Sequence, residues 1–185
     1  MFDIDEFVND CLAARRTIEP RILVHDVLAR AVSKPAKIAE ALQPDESGIS
    51  LLHHSPELTI LHGVFAPRMS FYPHDHRMWA VIGIYAGRED NRFYRRTAPG
   101  TRTLEEVGGK SLTTGSVLIL GERAIHAVAN PLDRLTAAIH IYGGDFVNTA
   151  KSQWGPGPQV ERPYDLDETH RQFASANQTR RHLAG

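Results

Sequence analysis

The sequence predicts a mainly β protein, a sandwich or barrel of short strands with an N-terminal helical segment. Three observations lead there. The first 45 residues carry apolar side chains at helical three-to-four spacing. From Ile49 to about Phe146 the chain breaks into short runs rich in Val, Ile, Leu, Phe and Tyr, separated by Gly, Pro, Asn and Asp. No long helical pattern lies between those runs, which argues against a parallel α/β sheet. At 185 residues, with 42% apolar and 23% charged side chains, the chain suits one domain with a real core.

In the helical segment, Phe2, Ile4, Phe7, Val8, Cys11 and Leu12 form one stripe. Asp3, Asp5 and Glu6 stand in its first turn, where the helix dipole favours acids. Pro20 suits the start of a second helix, with Ile22, Leu23, Val27, Leu28 and Val32 as its apolar side. Pro35 opens a third, carrying Ile38, Ala39 and Leu42, and Pro44 ends it. Strands are expected over 49–54, 58–65, 69–74, 79–85, 91–96, 101–107, 116–120, 126–129 and 135–142. The expected organisation is a helical segment over 1–47, a β-barrel over 48–148, and a C-terminal loop and short helix over 149–185. In that last part Trp154 to Pro158 reads as a loop, Asp165 to about Gln178 as helix, and Asn177 to Gly185 as a frayed end.

Ten histidines against one cysteine is the unusual count. In Tyr72-Pro73-His74-Asp75-His76 the two histidines sit at i and i+2, so a strand aims both imidazoles at one point and Asp75 away. Pro73 suits an edge strand or the start of one. A divalent metal with open positions wants a third ligand, and His126, opening another β run, is a candidate. His140 and Tyr142 share a face of the following strand. An isolated His-x-His is a weak motif, and its weight comes from this conjunction. His53, His54 and His62 read as solvent-facing strand residues, and His25, His170 and His182 receive no function.

These segments resemble a cupin, more closely a thiol dioxygenase of the cysteine dioxygenase type. The resemblance is carried by His74-Asp75-His76, by the glycine-ended strand Ala80 to Gly87, by His126-Ala127-Val128-Ala129-Asn130, and by Ile139-His140-Ile141-Tyr142 with its following loop. It implies a cupin double-stranded β-helix (jelly-roll barrel) holding non-haem Fe(II) on His74, His76 and His126, with His140 and Tyr142 as catalytic outer-sphere groups. It also implies a small thiol and O2 as substrates and a sulfinate as product. Arg77 to Val81, where ordinary cupins add a glutamate, holds no carboxylate, which favours the all-histidine variant.

The departures are informative. The family's serine two residues before the His-x-Tyr histidine is Ala138 here. The strand that carries a tyrosine-linked cysteine in some members has none, so no such cross-link is expected, and Cys11 reads as a packed apolar residue. The family's carboxylate-binding arginine is missing from Leu51 to Pro56, leaving Arg68, Arg77 or Arg123 as substitutes from elsewhere. Mn, Ni or Zn in another cupin chemistry, or a non-enzymatic small-molecule-binding cupin, are therefore kept as alternatives.

Other classes are argued against. A formal net charge of -1 disfavours a nucleic-acid binder. Arg88, Arg92, Arg95 and Arg96, with Glu89 and Asp90 beside them, read as a solvated hairpin. Gly108-Gly109-Lys110-Ser111 lacks the first glycine of a phosphate loop. No apolar run approaches a membrane span and no secretory signal is evident, so a cytoplasmic protein is expected. The sequence leaves the oligomeric state open, a homodimer included.

Overall fold

A computed structural model describes residues 2–98, 100–155 and 160–184. Helices α1 (Ile4–Arg15), α2 (Pro20–Val32) and α3 (Pro35–Leu42) follow the expected plan. The Asp3 side chain caps α1 by accepting from the Glu6 amide at 3.0 Å. Prolines open α2 and α3, and α3 stops at Gln43 in a left-handed conformation (φ 43°). The packed face of α2 differs from expectation. Val24, Leu28 and Val32 are fully buried, an i, i+4, i+8 ridge, whereas Ile22 and Leu23 are 51% and 40% exposed.

Eleven strands are described: β1 (Gly48–His54), β2 (Thr59–Phe65), β3 (Ser70–Asp75), β4 (Ala80–Ala86), β5 (Arg88–Arg96), β6 (Leu104–Thr113), β7 (Val117–Leu120), β8 (Ile125–Ala129), β9 (Thr136–Tyr142), β10 (Ser152–Trp154) and β11 (Glu161–Pro163). The nine expected strands are all present. Two differ in extent: β5 begins at Arg88 and β6 runs through Gly108-Gly109-Lys110-Ser111 to Thr113, so that glycine pair lies in a strand, not a phosphate loop. One sheet has the order β1-β2-β9-β4-β7 and the other β11-β10-β3-β8-β5-β6, with every pairing antiparallel. The chain passes back and forth between the two sheets. This is the cupin double-stranded β-helix.

Strands β2, β9 and β4 lie inside the first sheet and are buried on both faces, which is why their sequences are near-continuous apolar runs. Ile60, Val81, Tyr85, Ile139 and Ile141 pack outward against the helices with Val24 and Leu28. Ala80, Ile82, Ile84, Ala138 and Tyr142 point inward with Leu112, Leu118 and Leu120.

The C-terminal part exceeds its expectation. It adds β10 and β11, and its helix α4 (Leu166–Ala184) continues where a frayed end was expected. Phe173 of α4 packs on Phe65 and Phe71, and the Asn177 amide exchanges hydrogen bonds with the Ser47 backbone, fixing α4 across one end of the barrel. The Pro156 to Pro158 part of the expected loop lies outside the described residues. Among the described residues no helix is long and apolar enough to cross a membrane.

Candidate metal centre

His74 lies on β3, and His76 follows the strand's last residue. Pro73 is not on an edge, since β3 sits between β10 and β8. The register slips between Phe71 and His74, a bulge that accommodates the missing amide hydrogen. His126 on β8 stands directly opposite His74. One nitrogen from each of the three lies within 4.8 Å of the others, and the Nε2 atoms of His76 and His126 face each other at 3.1 Å. Asp75 turns away, as alternation requires, accepting from the Ser152 amide at 2.8 Å and pairing with Arg77 at 2.6 Å.

The donor set fits a metal ion. His74 Nδ1 donates to the Tyr72 carbonyl at 3.0 Å and His126 Nδ1 to Asn91 Oδ1 at 2.7 Å, which frees both Nε2 lone pairs. Two imidazole nitrogens 3.1 Å apart need either a shared proton or a shared cation. Burial first, then the neighbouring imidazoles, holds His76 and His126 well below the ordinary histidine range; His74 is lowered too, chiefly by burial. All three are therefore neutral near pH 7, the form that ligates. The three-histidine cluster can hold a metal, and among the described residues no carboxylate joins it.

His140 and Tyr142 point inward from β9, as expected. The Tyr142 ring packs edge-on against His76 with centroids 5.0 Å apart, and its hydroxyl lies 3.4 Å from His140 Nδ1. Burial, aided by Tyr164 and Glu89, pushes Tyr142 well above the usual phenol value, so it stays a phenol.

Two residues were missed by the sequence reading. Glu89, taken as a counter-charge of a solvated hairpin, is fully buried, and so is Asn91. The signal was alternation: residues 89 and 91 face inward, while Asp90 pairs outward with Arg88 and Arg92 is exposed. Starting the strand at Asn91 hid that pattern. Of the remaining hairpin arginines, Arg95 pairs with Glu105 and Arg96 with Glu161.

The centre borders a cavity of about 490 Å³ lined by Leu61, Phe65, Phe71, Tyr142, Phe146 and Tyr164 among others, with α4 along one side. None of Arg68, Arg77 and Arg123 lines it. Arg68 is held at the surface by Asp133 at 2.7 Å, and Arg77 by Asp75. The ammonium that does line it belongs to Lys151, which donates to the Phe146 and Thr149 carbonyls and lies 4.1 Å from the Phe146 ring centroid. Burial lowers its pKa.

His62 corrects its expectation: it is buried, 2.6 Å from the Tyr85 hydroxyl, and burial with His140 nearby lowers it to about 4. His54 pairs with Asp145 at 2.8 Å, and His170 of α4 reaches the cavity rim. Cys11 is free, buried among the helices, and pushed up to about 12 by burial with Asp10 adding to it.

No protein-family model matches the chain. Among solved structures, BH2720 of Bacillus halodurans matches with a TM-score of 0.50 and 12% identity over 58% of this chain and 77% of that one. A protein with a double-stranded beta-helix domain from Klebsiella pneumoniae matches with a TM-score of 0.45 and 12% identity over 59% and 80%. DMSP lyase DddQ of Ruegeria pomeroyi matches with a TM-score of 0.46 and 18% identity over 61% and 54%. At these identities the likeness is one of fold.

Proposed function

We propose that the protein is a non-haem Fe(II)-dependent, thiol dioxygenase-like enzyme that oxidises a small thiol with O2 to a sulfinate, R–SH + O2 giving R–SO2H. The observation that carries this reading is three histidines converging with no carboxylate among the described residues, bordering a largely apolar cavity and beside a buried tyrosine. His74, His76 and His126 would be the ligands. Bound there, divalent iron supplies a centre that favours the thiolate form of a sulfur ligand and exchanges electrons with O2.

The chain's own residues do the rest. Tyr72 O and Asn91 orient two of the imidazoles. Phe65, Phe71 and Phe173 pack together beside the cavity and exclude water from its wall. His140 and Tyr142 place a hydrogen-bonding hydroxyl next to His76. Lys151 offers a cation to an acidic end of the substrate, in place of the family's arginine.

The test is anaerobic purification, loading with Fe(II), and O2 uptake with a panel of small thiols. Uptake with a product heavier by two oxygen atoms is expected. An iron-loaded protein inert to the whole panel sinks the reaction class. That no arginine lines the cavity among the described residues favours one second reading, another metal-dependent cupin chemistry with Mn, Ni or Zn. Stoichiometric non-iron metal in protein from unsupplemented cells would select it.

A further inference from the structure

We propose that Glu89 is a positioning residue that sets the direction of the His140–Tyr142 hydrogen bond, so that the Tyr142 oxygen faces the cavity as a proton acceptor. The thiol-oxidising reading is needed only for what Tyr142 does to a substrate. The hydrogen-bond direction stands on the buried network itself.

Glu89 is 0% exposed, and a carboxylate can only accept hydrogen bonds. Its Oε1 lies 2.9 Å from Asn91 Nδ2, so the Asn91 amide must present its nitrogen to Glu89 and its oxygen to His126. The reverse orientation would set two acceptors against each other. Its Oε2 is buried without a hydrogen-bond partner and lies 3.6 Å from His140 Nε2, which is also buried without one. Two orphaned buried groups facing each other are costly unless one donates to the other. Closing the gap to a normal bond needs a shift of only about 0.6 Å, and catalytic hydrogen bonds are often this long in unliganded sites. Glu89 can only accept, so His140 must carry its proton on Nε2.

The consequence passes to the next atom. With Nε2 protonated, His140 Nδ1 is a bare lone pair, and the Tyr142 hydroxyl beside it must be the donor. The lone pairs of the phenol oxygen are then left for the cavity. A substrate S–H can hand its proton to that oxygen while the phenol proton moves to His140 Nδ1. The charge formed is an imidazolium facing the Glu89 carboxylate, so the proton is conserved and its new holder is paired. The Asn91 arm extends from the same carboxylate to His126. Glu89 thus fixes the tautomers of one proposed ligand and of the outer-sphere histidine together.

Glu89→Gln is the discriminating change because it keeps the shape and reverses the polarity. The glutamine oxygen stays with Asn91 Nδ2, and its NH2 faces His140 Nε2, which must now accept. His140 Nδ1 then carries the proton, and the Tyr142 hydroxyl points into the cavity as a donor. The experiment is 15N NMR of histidine-labelled full chain without metal, with circular dichroism to confirm folding. His140 protonated on Nε2 in the wild type and on Nδ1 in Glu89→Gln is expected. In iron-loaded protein, kcat should fall about 100-fold with KM changed less than about twofold. Adding Glu89→Gln to Tyr142→Phe should then cost nothing more. A wild-type His140 protonated on Nδ1, a tautomer unchanged in Glu89→Gln, or losses that multiply in the double variant would overturn the proposal. If the wild type oxidises no thiol, the reaction class fails while the tautomer measurement still decides this point.

Discussion

At the scale of single residues, the candidate centre depends on nitrogens being aimed as much as on their being present. His126 keeps its Nε2 turned inward because Asn91 holds the other nitrogen at 2.7 Å. Asn91→Ala should therefore weaken metal affinity about 10- to 100-fold while leaving all three histidines in place. Metal titration against a competing chelator measures this, and affinity equal to wild type would refute Asn91's role. Lys151 is argued on charge. Neutral histidines and a divalent metal leave the cavity positive, and the Lys151 ammonium adds to that. Lys151→Met should raise KM about tenfold or more for a thiol bearing a carboxylate, the worth of one charge-assisted hydrogen bond, and leave a neutral thiol unchanged. Equal effects on both thiols would assign Lys151 to holding the 146–151 segment instead.

At the scale of elements, most of what positions the site was legible because periodicity reports burial. The i, i+2 pair His74/His76 and the pair His140/Tyr142 converge because each sits where strand alternation puts it. Legibility failed where tertiary context sets burial. Glu89 is a charged residue among arginines, and its inward face shows only once β5 is known to start at Arg88, pairing with β6 at Glu89 and with β8 from Asp90. The strands β10 and β11 are three residues each, too short to show a period, and are defined by pairing alone, β10 on β3 and β11 on β10. Helix α2 shows the same limit, since the sheet it packs on selects Val24 and Leu28 over Ile22. That docking is tight at β4: a Cβ on Gly83 would lie 2.7 Å from Leu28 Cγ. Gly83→Ala should cost roughly 1–3 kcal/mol of stability by lifting α2, with metal content preserved. Denaturant unfolding with metal analysis of the folded variant checks both halves, and an unchanged midpoint would mean that Leu28 moves aside at little cost.

For the whole molecule, the buried histidines make stability a function of pH and of metal together. His62, His74, His76 and His126 all have folded-state pKa values below the usual 6.5, chiefly through burial. A group depressed on folding binds its proton more readily in the unfolded chain. Stability is therefore full above about pH 6.5 and is lost as pH falls through the interval down to the folded values. His62 alone, moved from 6.5 to about 4, is worth on the order of 3 kcal/mol over that interval. The metal-free protein should thus lose melting temperature steadily between about pH 7 and pH 5. A bound metal acts on three of these four groups and adds stability only to the folded chain, so it should raise Tm at pH 7.5. Protons compete for the same imidazole nitrogens, so that increment should shrink toward pH 5.5 and vanish with chelator. His62→Gln separates the contributions. It removes one depressed group behind the sheet and should flatten the metal-free profile while leaving the metal increment intact. A metal-free Tm flat from pH 8 to 5 would mean that the buried imidazoles take up protons without strain, and the neutral, ligand-ready centre would fall with it.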